Sequence, residues 1–155
     1  MKPELDTALT RNKFLRDWKV LRKNLEDLGL PVEVSEDSFS TSVPLARLIL
    51  IQVRESRLKP ETLLRCDEAS FQEHVSNVFD ALGRHSRVAL SHWLHVGALR
   101  CPSVALESRL LKVLQFDGDT VFGCDDDQRF VFAFDFDPDY AAGQEYEVLL
   151  GRWIK

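Results

Sequence analysis

Three carboxylates at alternate positions, Asp135, Asp137 and Asp139, have the one-three-five spacing with which calcium loops begin. Such a loop turns on Gly at its sixth position and closes with Glu at its twelfth. Here those positions are Tyr140 and Tyr146, and an apolar run rather than a helix precedes them. The helix–loop–helix calcium site is therefore excluded. The "HWLH" stretch places His92 and His95 three apart, so that on a helix both rings share a face and could hold a metal. A metal of catalytic use needs a third ligand. His85 and Cys101 are near in sequence but not at a recognised spacing, so two surface or packed histidines beside Trp93 are the better reading. Neither metal nor cofactor is expected.

Nucleophilic chemistry finds no support. The chain contains no GxSxG, no SxxK and no cysteine with family flanks, and neither phosphate-loop pattern, GxGxxG or GxxxxGK, occurs. An enzyme is not expected. "RVALSHWLHVGALRCPSVAL" resembles a helix-turn-helix only in outline. Trp93 stands where a small residue is needed, and Pro102 would fall inside the recognition helix at a cost of about 3 kcal/mol.

Charge carries more information. The net charge of −5 hides a separation: residues 117 to 147 hold ten carboxylates against Arg129 alone, a segment charge of −9 that leaves +4 for the rest. Such an imbalance bears on partners and association rather than on fold. The residues expected to meet a partner are Asp125, Asp126 and Asp127 in one connection, and Asp135, Asp137 and Asp139 in another, with Tyr140 as aromatic anchor.

Hydrophobic periodicity says which elements must position these groups. Phe14, Trp18, Leu21, Leu25 and Leu28 follow one another at steps of 4, 3, 4 and 3, an apolar stripe on a helix over residues 10 to 28 that Gly29 and Pro31 stop. Its other faces carry Arg11, Lys13, Arg16, Lys19, Arg22 and Lys23, broken by Asp17, Glu26 and Asp27. That pattern fits a solvated helix better than a nucleic-acid surface. "VEVSEDSFSTSV" is a loop or one short strand. A buried helix is predicted through "PLARLILIQVRESR" with Ser42 before Pro44 as its start. Three more follow: a short one from Pro60 in "KPETLLRC", one in "EASFQEHVSNVFDALGRH", and one in "SRVALSHWLHVGAL". After Pro102 the period changes to two, with strands in "LLKVLQF", in the runs either side of the acidic turn, and in "EYEVLLGRWI"; the Asp117-Gly118 pair marks a hairpin. On a strand Phe130, Phe132, Phe134 and Phe136 share one face and must be core, because burying each is worth about 1.5 to 3 kcal/mol.

The expected protein is α+β and a single domain over 1–155, with about five helices in 1–104 packed on an antiparallel β-meander of about four strands in 105–155. No apolar run approaches the roughly 18 residues that span a bilayer, and charges in "MKPELDTALTRNKF" argue against export. Cys66, Cys101 and Cys124, odd in number and far apart, suit free thiols in the cytoplasm. The functional expectation is a protein-binding module whose acidic β-sheet surface docks a basic protein partner, in the manner of an immunity or inhibitor protein that neutralises a toxin. The alternatives are a small enzyme or metal-binding protein using His92 and His95, and a nucleic-acid adaptor using the basic first helix.

Overall fold

The computed structural model describes residues 3–32, 39–91, 98–116 and 119–155. Among these, four helices and six strands follow in the order α1 (Pro3–Asp27), α2 (Phe39–Ser56), β1 (Thr62–Cys66), α3 (Glu68–Leu82), β2 (Arg87–Ser91), β3 (Ala98–Pro102), α4 (Ser103–Phe116), β4 (Thr120–Asp125), β5 (Phe130–Phe136) and β6 (Tyr146–Arg152). The α+β class is as expected, but the helices and strands are not segregated at residue 104. The strands form one sheet, ordered β1-β6-β5-β4-β2-β3 and antiparallel throughout. Three of them precede the expected boundary.

The corrections have physical causes. "TLLRC", expected as helix, is β1, which pairs with β6 from Thr62 opposite Leu150 to Cys66 opposite Tyr146. Within "SRVALSHWLHVGAL", also expected as one helix, Arg87–Ser91 and Ala98–Pro102 are paired strands. Their residues are apolar in succession because this part of the sheet is covered on both sides, which erases the alternation of a half-exposed strand. "LLKVLQF", expected as strand, is the second half of α4. Leu106, Leu110, Val113 and Leu114 make its buried stripe, and Pro102 with Ser103 starts the helix instead of opening the β portion. Asp117 and Gly118 lie outside the described residues, but the element before them is a helix, so they do not join two strands.

Elsewhere the periodicity held. In α1, Trp18, Leu21 and Leu25 are buried. Gly29, at φ 81°, turns the chain so that its N–H and that of Leu30 donate to the carbonyls of Glu26 and Leu25. Helix α2 begins earlier than Ser42 predicts and so contains Pro44 in its second turn. Asp67 caps α3 by accepting from the Ser70 N–H at 2.8 Å.

Two cores flank the sheet. On one face α1, α3 and α4 bury Leu21, Phe71, Phe79, Leu82, Leu106 and Leu110 against Phe132 and Phe134, which are both fully buried. Phe79 stacks on Phe134 with ring centroids 6.1 Å apart. Phe130 and Phe136, at the two ends of the same strand, are only half-buried. On the other face α2 lays Ala46, Ile49 and Val53 over Ala89, Cys124, Val131, Ala133 and Leu149. Small residues set this close approach: a Cβ on Gly151 would collide with Ser56 at the end of α2. Gln52 of α2 also binds the chain after β6 reciprocally. Its amide donates to the Ile154 carbonyl at 2.5 Å and accepts from the Ile154 N–H at 2.7 Å. No helix is long and apolar enough to cross a membrane among the described residues.

Candidate functional site

Because helices cover both faces of the sheet, the carboxylates do not form a sheet surface. Antiparallel pairing instead sends them to its two ends, at either end of β5. Asp125 ends β4 and Asp126 and Asp127 follow in the β4–β5 turn; the β5–β6 connection holds Asp137 and Asp139, with Asp135 next to last in β5 and paired with Glu147.

At the turn end, two of the three carboxylates meet an arginine. Asp125 is only 1 % exposed. Its Oδ1 accepts from the backbone N–H of Arg129 at 2.8 Å and of Phe130 at 2.7 Å, and its Oδ2 from the Arg129 guanidinium at 3.1 Å. This carboxylate organises the hairpin, in which the Gln128 N–H donates to the Asp125 carbonyl and Gln128 takes a positive φ of 52°. It is therefore withdrawn from the surface expected to meet a partner. Asp126 faces Arg100 at 3.6 Å, and Asp127 is exposed. Asp at the first position of such a turn, where its side chain can bind local backbone, is the sequence signal that could have shown this role, which a count of surface charge passes over.

The opposite end is different. A polar row runs across four strands in register: Thr120 of β4, Asp135 of β5, Glu147 of β6 and Arg65 of β1. The Thr120 hydroxyl donates to Asp135 at 2.7 Å. Glu147 is buried and takes both nearby cations, Arg57 at 2.6 Å and Arg65 at 3.3 Å. Arg65 also stacks over the Tyr140 ring, 3.4 Å from its centroid. The loop beyond is fastened by its own acids. Asp137 accepts from the Asp139 N–H at 3.0 Å, and Glu145 from the Gly143 N–H at 2.8 Å. The Asp137 N–H donates to the Glu145 carbonyl at 2.8 Å. Residues 138 to 144 are all exposed, Tyr140 among them.

On the other side of this end, Tyr146 stacks on Phe71 (centroids 4.5 Å apart) and meets Phe136 at a tilt (4.8 Å). Burial raises the pKa of its hydroxyl, and the carboxylates of Glu68, Glu145 and Asp119 raise it further. These acids thus converge on one half-buried aromatic group. A cleft of about 80 Å³ opens there, lined by Leu111, Leu114, Gln115, Asp119, Phe136 and Tyr146. Sequence reasoning missed it because its parts come from α4, β5 and β6, and no local pattern joins them. Asp119, Asp137, Asp139, Glu145 and Glu68 make no ion pair among the described residues. The −9 of the acidic segment is therefore concentrated at the β5–β6 end.

The other candidates lie elsewhere. His92 and His95 are outside the described residues, and among those described no group of three His, Cys, Asp or Glu is placed to hold a metal ion. Lys13, Arg16, Lys19, Arg22 and Lys23 are exposed along α1, with Arg22 paired to Glu26 at 2.9 Å. Cys66, Cys101 and Cys124 are buried free thiols; burial pushes the last two up to about 12. Comparison with family models, curated proteins and solved structures gives no match to this chain.

Proposed function

We propose that this chain is a protein-binding module that docks a basic protein through the β5–β6 end of its sheet, as an immunity or inhibitor protein does when it neutralises a toxin. The supporting observation is the unequal charge of the two ends. Two of the three acids of the β4–β5 turn meet Arg129 and Arg100, whereas at the β5–β6 end the neighbouring cations, Arg57 and Arg65, are both taken by buried Glu147. The uncompensated carboxylates attract a cationic surface at a distance and set its approach. Tyr140, exposed on the loop and held by Arg65, supplies the rigid aromatic contact that such interfaces favour. The partner-facing set is then Asp135, Asp137, Asp139 and Tyr140, with Asp126 and Asp127 at the far end outside it.

Capture from cells of the source organism tests this with two double variants. Asp137→Asn with Asp139→Asn should slow association of a captured basic protein about tenfold at low salt and flatten its salt dependence, since rim charges act chiefly on approach. Asp126→Asn with Asp127→Asn should change neither. Equal capture by both variants and the wild type would mean that the carboxylates serve solubility alone.

A further inference from the structure

We infer that the cleft between α4 and the ends of β5 and β6 receives one arginine side chain of that basic partner. The inference rests on the docking reading above and assigns its deepest contact. Size comes first. At about 80 Å³ the cleft is far below the roughly 300 Å³ at which pockets begin to hold cofactors and metabolites, and it matches a single side chain.

The lining then selects among side chains. Leu111 and Leu114 of α4 form an aliphatic wall along which a methylene stem can lie. Phe136 presents an aromatic ring, which attracts a cation through its quadrupole, and a planar guanidinium stacks on such a ring better than an ammonium does; Tyr146, already packed by Phe71 and Phe136, completes the wall. Asp119 adds a carboxylate residue to the lining, and Gln115 a further polar one. Asp119 makes no ion pair among the described residues, and its backbone is held on both sides. Its N–H donates to the Leu114 carbonyl at 2.8 Å and its carbonyl accepts from the Phe136 N–H at 2.9 Å. The backbone that carries this carboxylate is thus fixed at the cleft. An apolar side chain would satisfy the walls but leave Asp119 facing it, and an acidic one would meet Asp119, Glu68 and Glu145 together.

Two capped nine-residue peptides of alternating lysine and glycine, one with a central arginine and one with citrulline in its place, test the assignment by calorimetry at low salt. The citrulline peptide keeps the shape and loses the charge. Wild-type protein should bind the arginine peptide about fivefold to tenfold more tightly, the range of a partly desolvated cation–aromatic contact. That preference should fall to near one in Phe136→Leu and in Asp119→Asn; Asn tolerates the positive φ of 68° at this position, so the turn survives. Asp137→Asn with Asp139→Asn should weaken both peptides alike and preserve the ratio. A wild-type ratio near one, or a ratio unchanged in both cleft variants, overturns the assignment while the docking reading stands. Absence of any charge-dependent binding overturns both.

Discussion

Replacing Asp125 by Ala should destabilise the protein by about 3 kcal/mol, although the residue belongs to the most acidic turn of the chain. Its Oδ1 accepts two backbone N–H bonds, at 2.8 and 2.7 Å, in a carboxylate that is 1 % exposed. A hydrogen bond to a charged acceptor contributes about 1.5 kcal/mol, so the two together give the estimate. The third bond, to the Arg129 guanidinium, adds under about 0.5 kcal/mol because that side chain is mostly in water. Asp125→Asn is the informative companion. Its amide oxygen can keep both backbone bonds, leaving a loss of about 1 kcal/mol for the charge. Asp127→Ala, on an exposed residue of the same turn, should stay within about 0.5 kcal/mol of wild type. Urea unfolding at constant m would measure the series; in a chain of 155 residues the largest loss corresponds to roughly 6–12 °C in Tm. If Asp125→Ala costs no more than Asp127→Ala, the buried carboxylate does not hold the hairpin together and the account of this turn is wrong.

Gly151→Ala should cost about 1–3 kcal/mol, because the new methyl meets Ser56, and Ser56→Gly in the same chain should restore at least half of it; additive losses in a double-mutant cycle would refute the contact. Gln128→Gly should stabilise by about 0.5–1 kcal/mol in thermal melts, since φ 52° is strained for a residue with a Cβ. Cys101 and Cys124 stay neutral when folded up to about pH 12, while the unfolded thiols ionise near 9.0. Their contribution is therefore complete below pH 9 and is lost as pH rises toward 12, with a slope of at most about 1.4 kcal/mol per pH unit for each thiol. Replacing both by Ala should flatten the alkaline fall in stability, and an unaltered slope would count against burial as its cause.

Legibility in the sequence followed the number of elements that touch each segment. Helices α1 and α3 each present one buried stripe; the 3.6-residue period gave Trp18, Leu21 and Leu25 of α1 as core, and Phe71, Val75, Phe79 and Leu82 form the stripe of α3. Strand β5 was legible because four Phe alternate, but its Val131 and Ala133 are buried as well, beneath a helix whose position no local pattern reveals. Strands β1, β2 and β3 are five residues each, too short to show a period, and β1 meets its partner only near the other end of the chain. Helix α4 was misread because its stripe was cut at Leu110. The acidic site was half legible. Asp139 and Tyr140 stand exposed beside a half-buried Asp137, in the segment that charge patterning singles out, whereas the burial of Asp125 depends on a turn geometry that charge counting ignores.

The place of β6 between β1 and β5 has a consequence for biosynthesis. Thr62 must wait for Leu150 before β1 has any sheet neighbour, so the ribosome releases most of the chain while that strand remains unpaired. Closing so long a loop is slow, and Leu63 and Leu64 stay available to other chains in the meantime. Insertion of β6 then completes two ladders at once and brings Ile154 to Gln52, which fastens α2 in the same step. The nascent chain can thus pair β2, β3, β4 and β5 early but completes its sheet only late, and the acidic end cannot exist until Tyr146 and Glu147 have taken their places in it.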